Sequence, residues 1–146
     1  MSRFARVIRL VGMTRTSNRA WRWLGGVVLA HLAISVVHGT AHAGAQVEMS
    51  VPANLFVFVV ILAGPLIGLV WALRSARIGA WLIGLTMAAS LVFGLVNHFV
   101  LASADHVSHV EPRWQPLFAT TAVLLSITEV LGLVLAVRLA RERSLA

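Results

Sequence analysis

Four apolar stretches, at about 23–43, 55–73, 78–102 and 117–137, fill most of this 146-residue chain, each near the ~20 residues a helix needs to cross a bilayer. Backbone groups in hydrocarbon find partners only within helices or closed barrels, so stretches of this length and continuity predict helices. The expected fold class is all-α: an integral membrane protein built as a bundle of four transmembrane helices. Composition agrees, since 59% of the residues are hydrophobic and only 12% are charged.

Arginine placement predicts orientation. Arg3, Arg6, Arg9, Arg15, Arg19 and Arg22 precede the first span without an acid among them, Arg74 and Arg77 sit between the second and third, and Arg138, Arg141 and Arg143 follow the fourth. Only Arg113 falls in a connection on the other side. Basic residues stay on the cytoplasmic side, which puts both termini inside a cytoplasmic membrane. Residues 1–22 then form a basic cytoplasmic segment, 23–140 the transmembrane domain and 141–146 a cytoplasmic tail. The formal charge of +7 is explained by this topology, and no nucleic-acid partner is expected. Trp21, Trp23, Trp71 and Trp81 mark the inner boundary and Trp114 the outer one, as indole rings at headgroup depth should. Two alternatives concern the first segment. Phe4, Val7, Ile8 and Val11 suit an amphipathic surface helix unless Met13 is the start, and Ala41-His42-Ala43 also fits a signal-peptide cleavage site.

The spans are not uniformly apolar. In the first, His31, Ser35, His38 and His42 recur at i, i+4, i+7 and i+11, one face of a helix. Ionisable groups inside a span usually face a protein interior, a cavity or a ligand. His98, Asp105, His109 and Glu129 are the available company. Counting about 1.5 Å per helical residue from the inner arginines places His31 and Glu129 about 13 Å deep, and His38, His42 and His98 about 24 to 31 Å deep. Two polar layers result, one near the midplane and one toward the outer face. The second span carries no ionisable side chain and reads as scaffold, with a kink expected at Gly64-Pro65 and close packing at Gly68. His98, Asp105 and His109 repeat the spacing of His31, His38 and His42 at an offset of 67 residues, which a helical-hairpin duplication or chance would equally produce.

The chain has no cysteine, so any metal is held by nitrogen and oxygen. His38, His42, His98, Asp105 and His109 are the candidate metal ligands, a set suited to zinc, copper or non-haem iron. The i, i+4 histidine pair resembles that of the zincin helix, but Gly39 stands where that motif has glutamate, so a zincin is not supported. A non-covalent bis-histidine haem between the first and third spans is an alternative cofactor. His106 and His109, in a loop, also suit simple solvation. Glu129 and His31 are the candidate catalytic or proton-relaying pair, and a hydrogen bond joining spans one and four would account for them equally. The leading expectation is a metal-dependent enzyme or metal-handling protein whose site opens outward. A proton-coupled transporter using Glu129 and His31 is the runner-up, followed by an accessory subunit. Expected partners are the lipid bilayer and a homodimer or larger membrane complex.

Overall fold

A computed structural model describes the backbone of residues 3–142, with side chains from Asn18 onward. The predicted surface face at Phe4, Val7, Ile8 and Val11, the question of Met13 and the last residues of the tail lie outside the described side chains. Four helices are long and apolar enough to cross a membrane: α1 (Arg3–Gly44, apolar from Asn18), α2 (Val51–Ala72), α3 (Ala76–Val100) and α4 (Gln115–Glu142). The expected all-α architecture is thus present. Large apolar side chains such as Leu29, Val36, Phe58, Val70, Leu85 and Val92 are more than half exposed. A water-soluble domain of this size would bury such faces, and a lipid bilayer would cover them.

Local chemistry sets the ends. Ser50 and Ser75 cap α2 and α3 by accepting from the amides of Ala53 and Ile78, and Pro52 occupies the first turn of α2, where its missing N–H costs nothing. The Gly64-Pro65 step distorts α2 as expected, but by widening: residues Val57–Ala63 form π-helical turns immediately before it. A proline removes the donor that the carbonyl four residues back would use, here Ile61, and a π-bulge is one way of absorbing that mismatch.

Packing runs in the order α2, α3, α4, α1. Helices α2 and α3 touch through small residues: a Cβ on Gly79 would lie 2.6 Å from the Ala72 backbone, and one on Gly68 would lie 2.5 Å from Ile83. Leu24 and Val28 of α1, Ile83 and Met87 of α3, and Ala136 and Leu139 of α4 close the half of the bundle nearest Arg22, Arg77 and Arg138. Although a short loop joins α1 to α2, α1 packs on α4 and meets α2 chiefly through the inner part of that helix, Gly64–Ala72. Their outer halves stay apart.

Helix α3 ends in π-helical turns at Val96–Val100, two residues before the predicted boundary, and the chain then folds back. The Val107 amide donates to the His98 carbonyl at 3.0 Å. Asp105 and His109 therefore lie in an irregular loop beyond α3. Ala41, Phe118 and Val110 form a small outer core with Trp114, which packs directly on Gly44.

Candidate metal centre

The face of α1 that carries the histidines lies against α4 in antiparallel fashion, and two contacts recur along it two turns apart. His38 Nδ1 meets Thr121 Oγ1 at 2.8 Å, and His31 Nδ1 meets Thr128 Oγ1 at 3.3 Å. Each pair has the same residue sum because one strand of the seam rises as the other falls. Thr121 donates its hydroxyl proton to the carbonyls of Leu117 and Phe118, and Thr128 donates to Leu125. Toward the rings both hydroxyls are therefore acceptors, and each histidine is assigned its proton on Nδ1. In His38 this leaves the Nε2 lone pair facing the bundle interior.

His98 reaches the same point from α3. Its Nδ1 donates to the Asp105 carbonyl at 3.1 Å, with Asp105 Oδ1 also 3.3 Å away. Both neighbours are acceptors, so Nδ1 carries a proton and Nε2 points inward. There it stands 3.3 Å from His38 Nε2. Two lone pairs at that distance repel unless a cation lies between them. His42, one turn after His38, has Nε2 3.3 Å from the same Asp105 oxygen, while its Nδ1 is buried without a hydrogen-bond partner among the described residues. One potential ligand atom from each of His38, His42 and His98 lies within 4.8 Å of the others, and all three side chains are buried. Phe118, fully buried, packs on all three rings with centroids 4.7 to 5.2 Å away.

The remaining candidates divide. Asp105 joins the cluster through the returning loop, with its carboxylate against the outward nitrogens of His42 and His98. His109 does not reach it: exposed at the loop surface, it donates from Nδ1 to the Ser103 carbonyl at 2.7 Å and packs beside His106. The 67-residue correspondence loses its helical basis here, since Asp105 and His109 are not on the helix that carries His98. Glu129 is buried and lines a cavity of about 420 Å³ together with His38, His42, His98 and Asp105. Among the described residues its carboxyl makes no hydrogen bond. His31 is equally buried, yet its partner is Thr128 rather than Glu129. The expected His31–Glu129 contact is therefore absent among the described residues, because neighbouring positions on a helix point about 100° apart. His31 Nε2 is buried without a hydrogen-bond partner among the described residues.

A haem sandwiched by His38 and His98 does not fit this arrangement. Axial ligands stand on opposite faces of a macrocycle, whereas these rings meet edge to face with centroids 4.9 Å apart. Thr121, Thr128 and Phe118 escaped the sequence reading. The one available signal was the seven-residue step from Thr121 to Thr128, which mirrors that from His31 to His38 on an antiparallel neighbour. Comparison with known proteins yields no matching family model, no matching curated protein and no matching solved structure.

Proposed function

We propose that this is a multi-pass protein of the cytoplasmic membrane that binds one transition metal ion through His38 Nε2, His42 Nδ1 and His98 Nε2. The observation that carries the reading is the pair of inward nitrogens 3.3 Å apart, each held from behind by an acceptor. Two nitrogen ligands at 2.0–2.1 Å from a tetrahedral ion are about 3.3 Å apart. Ligating histidines commonly donate their second ring N–H to a carboxylate, carbonyl or similar acceptor, which fixes the tautomer. Thr121 performs that role for His38 and the Asp105 backbone carbonyl for His98, while Asp105 Oδ1 stands 3.3 Å from His42 Nε2. Asp105 is thus a supporting carboxylate rather than a ligand.

Three protein ligands leave a coordination position open, the pattern of catalytic rather than structural zinc sites. An ion held there would border the cavity that Glu129 also lines without a hydrogen bond, so the Glu129 carboxyl would be the proton acceptor available to chemistry in that cavity. Zinc, copper and iron all suit an imidazole set, and metal-dependent catalysis is the role we favour over storage.

The second reading replaces the metal with a proton shared between His38 and His98, the latter balanced by Asp105, as part of a proton-coupled transport path with Glu129. The same 3.3 Å contact favours it. Elemental analysis of protein purified without chelator or nickel resin separates the two. We expect about one metal ion per chain, and a loss of affinity of about 10-fold or more in His38→Ala, His42→Ala and His98→Ala. Metal-free protein that also fails to take up zinc, copper or iron would leave the proton reading.

A further inference from the structure

We infer that the cavity beside the metal centre takes a molecule dissolved in the bilayer, with an apolar body and a hydroxyl-bearing end, which enters between the outer halves of α1 and α2. The inference rests on the metal reading for what the hydroxyl end meets and on independent geometry for the route. The cavity's volume, about 420 Å³, is within the range of small-molecule sites. Its chemistry is divided. One side presents the histidines, Glu129 and Ser90, whose hydroxyl is fully buried without a partner among the described residues. The other side is Val36, Val57, Phe58, Ile61, Leu62 and Phe93.

Val36 and Phe58 line the cavity and are also 59% and 63% exposed on the outside of the bundle. Both belong to membrane-spanning helices, so their exposed sides face acyl chains and the mouth between them opens into lipid. The divergence of α1 from α2 beyond Gly64–Ala72 makes that mouth.

Gly39 supplies the second argument. Helical glycine usually permits close approach, as at Gly68 and Gly79, but a Cβ on Gly39 would meet nothing within 4 Å. Glycine also weakens a helix relative to alanine. Ser35, Val36, His38, His42 and Ala43, all cavity-lining, flank it on both sides of the helix arc, so a side chain there would project into the cavity. What Gly39 provides is room. A hydroxyl end would suit the polar lining, to which the histidines, Ser90 and Glu129 all contribute.

Cobalt(II)-loaded protein in lipid nanodiscs tests this, because the visible spectrum of cobalt reports a new ligand. The probes are dodecanohydroxamate and acetohydroxamate, which share a metal-seeking hydroxyl end and differ in apolar body. Gly39→Ala and Gly39→Leu should bind cobalt as the wild type does and respond to acetohydroxamate within about 2-fold. Their response to dodecanohydroxamate should weaken stepwise, by about 10-fold or more in the leucine variant, the equivalent of two methylene groups denied burial. Val36→Trp, on the rim of the mouth, should act in the same direction without touching the helix glycine. Equal weakening toward both probes, or no weakening in Gly39→Leu and Val36→Trp, overturns the lipid-side route while leaving the metal centre intact. Failure of the wild type to bind cobalt overturns the metal reading and, with it, the proposed occupant.

Discussion

At the scale of single residues, the seam between α1 and α4 makes two nearly identical histidine–threonine contacts and gives them different surroundings. His38 turns its free nitrogen toward His98, whereas the free nitrogen of His31 meets protein alone. Thr121→Val keeps the shape of the side chain and removes the acceptor behind His38. We expect a fall in metal affinity of about 10- to 100-fold, the usual cost of losing such support, measured by competition with a chromophoric chelator. Thr128→Val, the same change two turns away, should leave the affinity unaltered. Equal effects would mean that threonine acts through the helix seam and not through the ligand. Glu129→Gln provides the complementary case, since it should retain the full metal complement while losing the proton acceptor. Residue counting found the register between α1 and α4, placing His31 within one position of its partner. It could not find direction, because Thr128 and Glu129 differ by about 100° around α4 and nothing in a single sequence sets that rotation.

At the scale of elements, the four helices were legible because length and apolarity act locally, whereas the caps at Ser50 and Ser75 were not read from the sequence. Nor was the returning loop after Val100. Asp105 was expected as company for the histidines from its place just past the third span, and the fold-back of the loop brings it there, with His109 left at the surface. The difference lies in backbone hydrogen bonds of the π-helical turns around His98, which no hydrophobic period reveals. Gly68 of α2, by contrast, announced close packing, and Gly79 of α3 shares in it. Gly79→Leu has to separate those helices, because its Cβ would stand 2.6 Å from the Ala72 backbone. Destabilisation of about 1–3 kcal/mol is expected, read as a lower unfolding midpoint in detergent. Gly25→Leu, where a Cβ meets nothing within 4 Å, should be close to neutral. Similar midpoints for the two variants would show that α2 and α3 are not held by backbone proximity.

At the scale of the molecule, the histidine cluster occupies one end of the bundle and the closely packed hydrocarbon core the other. The orientation of that asymmetry decides which compartment loads the metal. Arg19, Arg22, Arg74, Arg77, Arg138 and Arg141 all belong to the end where Leu24, Ala80 and Leu139 pack. Trp23, Trp71 and Trp81 lie at the same end and are at least 40% exposed, as residues at a headgroup boundary should be. On our proposal the positive-inside rule makes this end cytoplasmic and turns the proposed metal centre toward the outer face. The absence of native cysteine gives a direct test. Glu48→Cys, in the loop beside the cluster, should react with an impermeant maleimide on intact cells, and Ser144→Cys should react only after the membrane is opened. Labelling of Ser144→Cys from outside would reverse the orientation. The centre would then draw its metal from the cytoplasm, and the lipid-side mouth would open to the inner leaflet instead of the outer one.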